Sequence, residues 1–170
     1  MKTRPEEISG PEGVNPSLKL VVVADLGHLK AYRLEERPEF SRPRMELIQA
    51  METVETRHLR EDVTDQAGRY RKEPAVAGAL SDGEEHNASL ERRNRTVRML
   101  AETITTLMAQ EHVLACYLAA DPRINQSLLG EMDQRTRSKI QKNIPANLSK
   151  LEPEELVERF SRFNKRPEMG

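Results

Sequence analysis

Two aspartates carry the most direct chemical possibility in this sequence, because each follows a short apolar run. Asp25 follows Leu18–Ala24, and Asp121 follows Val113–Ala120. If these runs are neighbouring strands, the two carboxylates and an acid such as Glu91 could hold divalent metal for a nuclease or phosphohydrolase reaction. Aspartate also favours hairpin turns and helix N-caps for its local hydrogen bonds alone. We favour these local roles, and we expect no catalytic residue and no metal site.

The segment "DVTDQAGR" at 62–69 is a candidate binding loop. Its core combines an acid, a flexible glycine and an arginine that suits phosphate or carboxylate, in Asp65, Gly68 and Arg69. Alternatively, Arg69 pairs with a nearby acid and fixes the loop in place. We predict that these three residues contribute to a binding surface.

Basic residues form two further groups. Arg92, Arg95 and Arg98 recur at three-residue intervals, so on a helix they share a face. That face could contact RNA phosphates, or its arginines could pair with neighbouring glutamates. The later group consists of Arg135, Arg137, Lys139 and Lys142. The chain has no Trp and only three Tyr and three Phe, so stacking of bases on an aromatic platform is not expected.

The composition excludes several classes of protein. The net charge of the 170 residues is -1, so no global field attracts nucleic acid or membrane. The single cysteine, Cys116, excludes an internal disulfide and a cysteine-based zinc site, and the four histidines lack zinc spacing. We therefore expect no cofactor. No apolar run could span a membrane and the first residues lack an apolar signal region, so we expect a cytoplasmic protein without membrane contact.

The hydrophobic pattern predicts one domain at 17–163 between flexible tails at 1–16 and 164–170. Leu18–Ala24 and His28–Glu35 are predicted to form an antiparallel hairpin, whereas Met45–Val54 fits a strand or a helix equally well. A long loop at 56–86 is predicted to precede an amphipathic helix with Asn87 as its N-cap.

The C-terminal half is predicted to alternate between strands and helices. Val113–Ala120 reads as a buried strand, and Asp121 as the N-cap of the helices predicted over 122–144. An extended segment at 145–151 and a last helix from Pro153 follow. A hairpin, a crossover helix and a further buried strand match the ribonuclease-H-like arrangement of an α/β fold.

Several segments between 18 and 160 resemble, in order, the bacterial host attachment protein family. They include "VVVADLGHLKAYRLEE", the D-x-x-G-R segment, the helix "HNASLERRNRTVRMLAETI" and the tail "IPANLSKL". The resemblance implies kinship with the middle domain of archaeal and eukaryotic peptide-chain release factors. It therefore implies a ribonuclease-H-like mixed sheet in which Met45–Val54 is the third of three antiparallel strands, followed by alternating helices and strands.

The functional expectation follows from this resemblance and from one difference. The chain has no Gly-Gly-Gln tripeptide, which triggers peptidyl-tRNA hydrolysis in release factors, so that activity is not expected. We predict a non-enzymatic binding protein whose partner is the ribosome, RNA or a protein. The alternatives are a metal-dependent nuclease or phosphohydrolase using Asp25 and Asp121, and a factor required for attachment to host cells. The oligomeric state is left open.

Overall fold

The computed structural model describes residues 19–57 and 82–163. The predicted tails at 1–16 and 164–170 lie outside these ranges. So do most of the predicted loop at 56–86 and its proposed binding residues Asp65, Gly68 and Arg69.

A five-stranded mixed sheet forms the centre of the described structure. Its strands are β1 (Lys19–Ala24), β2 (His28–Glu35), β3 (Arg44–Glu52), β4 (Ala115–Ala120) and β5 (Ile140–Ile144). They lie in the order β3-β2-β1-β4-β5. β2 pairs antiparallel with β1 and β3, whereas β4 pairs parallel with β1 and β5. This topology is the ribonuclease-H-like α/β arrangement predicted from the order of the elements.

In the described ranges four helices accompany the sheet, and residues 54–57 after β3 are helical as well. The four helices are α1 (Asp82–Gln110), α2 (Pro122–Glu131), α3 (Gln134–Ser138) and α4 (Pro153–Arg162). β1 alternates its side chains between two layers: Leu20 and Val22 pack with α1 and α2, whereas Val21 and Val23 pack with α4. Because both faces of β1 are covered, its sequence is almost continuously apolar rather than alternating.

A bulge in the third strand explains why the sequence of this segment fits a strand and a helix equally well. β3 covers the predicted strand Met45–Val54 except for its last two residues. The register with β2 shifts between Ala31, which pairs with Gln49, and Tyr32, which pairs with Leu47. Ile48 is therefore the extra residue of a β-bulge, which interrupts the two-residue period and leaves neither face of the strand cleanly polar.

The predicted start of α1 is wrong by five residues. Asn87 is not the N-cap, because the helix already begins at Asp82, so the predicted loop 56–86 does not extend to 86. Glu84 and Glu85 lie in the first turns, where acidic side chains are favourable at the positive end of a helix. The predicted apolar stripe is buried from Val97 to Met108, but residues 83–92 are exposed.

The prediction for residues 134–151 is also wrong. α3 ends at Ser138, and Ile140–Ile144 forms β5 instead of continuing the helix. Pairing with β4 decides this outcome, since β-branched Ile140 and Ile144 flank a segment that completes the sheet. The segment 145–151, predicted to be extended, contains turns and leads into α4.

Candidate functional site

The carboxyl edge, at which β1 and β4 end, brings the two candidate aspartates together. β1 and β4 run parallel in a register that pairs Ala24 with Ala120, so Asp25 and Asp121 follow at the same level. The Asp121 backbone N–H donates to Ala24 O at 3.1 Å, which extends this pairing past the last strand residues. The sequence prediction that the two carboxylates could share an edge therefore holds geometrically.

Asp25 organises the turn between β1 and β2. Its Oδ1 accepts hydrogen bonds from the backbone N–H groups of Gly27 and His28, each at 2.7 Å. His28 Nδ1 lies 3.3 Å from the same oxygen. These are the contacts of an aspartate that opens a hairpin turn, as the sequence predicts.

The other oxygen of Asp25 is engaged by the segment between β5 and α4. Ser149 Oγ donates to Oδ2 at 2.7 Å, and Asn147 Nδ2 donates to it at 3.2 Å. Burial alone would raise the pKa of Asp25. The hydrogen bonds from Ser149 and from the backbone N–H groups of Gly27 and His28 outweigh burial, and the pKa lies below its ordinary value. Asp25 is therefore held as a buried carboxylate anion.

Asp121 caps α2, as the sequence predicts, and is also clamped by Arg123. Oδ1 accepts from the backbone N–H of Arg123 at 2.8 Å and from its Nε at 3.0 Å, and Oδ2 accepts from Nη2 at 2.9 Å. The Arg123 side chain bonds lower the pKa of Asp121 more than burial raises it, and Asn147 lowers it further. Asn147 donates to Asp25 and lies close enough to Asp121 to lower the pKa of that carboxyl.

These carboxylates do not fit a two-metal centre. Both oxygens of each are already engaged by protein donors, and among the described residues no three His, Cys, Asp or Glu side chains converge. Two-metal chemistry needs several oxygen ligands directed at the ions. The predicted third acid, Glu91, lies on the exposed part of α1. The local chemistry is that of a structural network.

Side chains from β2 and from the segment directly after β3 complete this network. Lys30 Nζ donates to Ser149 O at 3.0 Å. Thr56 Oγ1 donates to Gly27 O at 2.7 Å, and Thr53 Oγ1 donates to Leu26 O. Gly27 is required by this packing, since a Cβ there would overlap Thr56 Oγ1.

Sequence reasoning missed the members of this network that are distant in the chain. Asn147 and Ser149 belong to the "IPANLSKL" tail, which was noted only as part of a family resemblance. Each residue type is common in loops, so neither stands out without knowledge of what lies across the edge. The only available signal was that the tail places an amide and a hydroxyl two residues apart, directly before a helix.

The three arginines predicted to bind RNA share the exposed first half of α1 but differ in their contacts. Arg98 Nε lies 3.6 Å from Glu131 Oε2, which ties it to α2. Arg92 and Arg95 form no ion pair with another described residue, and both line an open surface depression that also includes Glu85 and Glu91. The surface is therefore of mixed charge, with two guanidinium groups that form no ion pair with an acid in the ranges 19–57 and 82–163.

The second basic group does not form one surface. Arg135 and Arg137 lie on α3, with Lys139 directly after it, whereas Lys142 lies in β5. Lys142 Nζ donates to Phe160 O at 3.1 Å and sits 4.2 Å from the centre of the Tyr117 ring, in the α4 layer. Only the first three residues can act together.

Cys116 has no accessible chemistry. It is fully buried in β4, and burial raises the pKa of its thiol far above the ordinary range. Cys116 is therefore a small residue of the core.

The fold and the site define a class: an α/β protein of ribonuclease-H-like arrangement whose carboxyl edge holds a hydrogen-bonded aspartate network. Residues 20–160 match the family described as "Protein required for attachment to host cells", and the chain belongs to this family.

Other comparisons add less. No curated protein matches the chain. A solved structure with some similarity is the type II variant of the Aquifex aeolicus Ppx/GppA phosphatase, at 10% sequence identity and a TM-score of 0.38. The match covers 75% of this chain and 35% of the phosphatase chain, so this chain spans about a third of that protein. This similarity is too weak to bear on function. In the ranges that the structure describes, no helix is both long and apolar enough to cross a membrane.

Proposed function

We propose that this member of the host attachment family is a cytoplasmic, non-catalytic binding protein that contacts RNA through Arg92 and Arg95 of α1. The observation that carries the non-catalytic part is the state of the carboxyl edge. Asp25 and Asp121 accept hydrogen bonds at every carboxylate oxygen from other protein groups. A proton or a metal ion at this edge would have to compete with these donors for the carboxylate oxygens.

The choice of α1 as the contact surface rests on exposure and pairing. Arg92 and Arg95 are exposed, lie one helical turn apart and form no ion pair with a described acid. An unpaired guanidinium group binds phosphate through two parallel hydrogen bonds, so the pair suits two phosphates of a single strand. The implied kinship with a release-factor domain points to the same class of partner, with the ribosome as one source of that RNA.

Because the surface carries charges of both signs, the proposal predicts a specific salt dependence of RNA binding. Glu85 and Glu91 lie beside the arginines, so binding depends on two local contacts instead of a broad basic field. For single strands the logarithm of affinity falls with the logarithm of salt concentration by roughly 0.7 per phosphate contact, which gives about 1.4 for two contacts. A basic groove with many contacts would give a much steeper slope.

The test is the anisotropy of a labelled single-stranded RNA, titrated with the full chain between about 50 and about 200 mM salt. The variant Arg92→Gln/Arg95→Gln is expected to weaken binding and to flatten the salt slope. The matched control Arg159→Gln/Arg162→Gln removes the same charge from α4 and is expected to leave both unchanged. Equal weakening by the two variants, or no binding of RNA by the wild-type chain, would overturn the RNA contact.

The family description, required for attachment to host cells, names a process and not a binding chemistry. In this proposal the protein supports attachment from the cytoplasm. Fractionation of cells tests the location, and recovery of the protein in an outer membrane fraction would favour a direct role at the surface. A different outcome is the capture of a protein partner. If its binding survives nuclease treatment and depends on Arg92 and Arg95, the partner of this surface is a protein and not RNA.

The second candidate function is a metal-dependent nuclease or phosphohydrolase, favoured by the meeting of Asp25 and Asp121 at one edge. It requires both carboxylates to leave their present donors. Magnesium-dependent cleavage of RNA that disappears in Asp25→Asn, with the variant still folded, would establish this activity over the non-catalytic proposal.

A further inference from the structure

A cleft lies between the last turns of α1 and the α3–β5 segment, well away from the carboxyl-edge network. It has a volume of about 390 Å³. The described residues that line it are Thr105, Met108, Ala109, His112, Asp133, Arg135, Thr136 and Lys139. Its volume falls in the range of roughly 300 to 1,000 Å³ typical of small-molecule sites.

Two basic side chains on one wall and a histidine on the other line this cleft. Arg135 and Lys139 come from α3 and its C-cap, four residues apart, and His112 comes from the end of α1. Neither Arg135 nor Lys139 forms an ion pair with a described acid, and Arg137 lies on the same short helix. Like charges at this spacing repel each other on a helix, so a bound anion would relieve an unfavourable arrangement.

The acid among the described lining residues is already engaged. Asp133 caps α3, and its Oδ1 accepts from the Thr136 backbone N–H at 2.7 Å. The Thr136 hydroxyl and backbone bonds are the main reason that the pKa of Asp133 lies below its ordinary value, and Arg135 and Arg137 lower it further. Asp133 therefore remains an anion fixed to the start of α3 and does not neutralise Arg135 and Lys139 as a pair.

The walls of the cleft are held in place by the core. Met108 and Thr136 are buried, and Lys139 O accepts from the Cys116 backbone N–H at 2.7 Å, which fastens the end of α3 to β4. The backbone that carries Lys139 is therefore fixed to the sheet, whereas the Arg135 side chain is exposed to solvent. His112 has φ 51°, a left-handed conformation two residues after the end of α1.

From this arrangement we propose that the cleft binds a phosphate group, held by Arg135 and Lys139, with His112 as an additional hydrogen-bonding partner. A guanidinium fork together with an ammonium point charge matches the geometry and charge of phosphate. The cleft lies about 15 Å along α1 from Arg95, at 1.5 Å per residue, so this site does not depend on the proposed RNA contact there.

The test uses the full chain and inorganic phosphate at constant ionic strength, followed by backbone amide NMR. Saturable shift changes are expected at His112, Thr136 and Lys139. Arg135→Gln/Lys139→Gln is expected to weaken binding about tenfold or more, because both charged hydrogen-bond donors to the phosphate are lost. Arg159→Gln/Arg162→Gln on α4, with the same loss of charge and outside both proposed sites, is expected to leave phosphate binding unchanged.

A second variant separates loss of the ligand from loss of the fold. His112→Asn keeps a residue that tolerates positive φ while removing the imidazole ring, so it is expected to weaken phosphate binding in a chain with unchanged dispersion of its NMR spectrum. Shift changes that do not saturate, that spread over all basic residues, or that persist in Arg135→Gln/Lys139→Gln would overturn the proposal.

The same variants identify the source of the phosphate. If Arg135→Gln/Lys139→Gln weakens the binding of a short single-stranded RNA as well as that of inorganic phosphate, the cleft binds a phosphate of the RNA backbone. If the variant weakens only the binding of inorganic phosphate, the cleft binds a free phosphate or a phosphomonoester. If only Arg92→Gln/Arg95→Gln changes RNA binding, the result bears on the proposed contact at α1 and does not affect the proposed phosphate site in the cleft.

Discussion

Ser149 Oγ donates a hydrogen bond to Asp25 Oδ2 at 2.7 Å, across 124 positions of the sequence. The bond joins the first strand of the sheet to the segment before the last helix, and Lys30 holds the same segment through Ser149 O. At the carboxyl edge of this ribonuclease-H-like fold, hydrogen bonds therefore connect the N-terminal strands to the segment before the last helix.

Ser149→Ala tests whether the hydrogen bond between Ser149 and Asp25 stabilises the fold. Asp25 Oδ2 would keep only the longer bond from Asn147, so a buried carboxylate would lose its shortest side-chain donor. We expect a loss of about 1–3 kcal/mol in the free energy of unfolding, measured by chemical denaturation. Ser161→Ala, at an exposed position on α4, is the matched control and should change it by less than about 0.5 kcal/mol. Equal effects would contradict the role of Ser149.

Asp25→Asn tests the charge of the carboxylate, with a defined pH dependence. The folded pKa of Asp25 lies below its ordinary value, so its contribution is fully present above the unfolded pKa of about 3.9. It is lost as the pH falls through the folded pKa. The gap in unfolding free energy between the wild type and Asp25→Asn should be constant near neutrality and shrink below about pH 4. A gap that widens in acid would contradict the assignment.

The contacts that sequence reasoning anticipated at the site are the local ones. Asp25 accepts from residues two and three positions later, and Asp121 accepts from Arg123 two positions later. Such bonds depend only on residue type and on the backbone conformation nearby, both of which the sequence indicates.

The contacts that it did not anticipate join distant segments. Asn147 and Ser149 become significant only when β5 lies beside β4, and the sequence pattern favoured a helix through β5. The five-residue strand is stabilised by its pairing with β4 and not by its own propensity, so no local pattern could decide it. The central strands were predictable because burial on both sides leaves a continuous apolar run.

Phe160→Ala tests whether α4 belongs to the core. Phe160 is 3% exposed and its ring stacks on Tyr117 with centroids 5.6 Å apart. Its removal leaves a cavity between α4 and the sheet, so we expect a loss of about 3–5 kcal/mol in the free energy of unfolding. Phe163→Ala, three residues later and 48% exposed, should cost less than about 0.5 kcal/mol. If both changes cost the same, α4 does not pack as described.

Gly27→Ala tests the close approach between the β1–β2 turn and Thr56. An alanine Cβ at 27 would overlap Thr56 Oγ1, and that oxygen also donates to Gly27 O, so it cannot move aside without losing its bond. We expect a loss of about 1–3 kcal/mol in the free energy of unfolding. Gly130→Ala is the matched control, because nothing lies within 4 Å of a Cβ at that position in α2. It should stabilise the chain by up to about 1 kcal/mol through helix propensity.

The double variant Gly27→Ala/Thr56→Ala separates overlap from other causes. Thr56→Ala removes the overlapping hydroxyl, so the cost of Gly27→Ala should fall when it is measured in that background. An unchanged cost would mean that the turn itself rejects a side chain at 27. A reduced cost would show that the hydroxyl of Thr56 sets the limit, and that the helical segment after β3 packs directly against the turn that Asp25 organises.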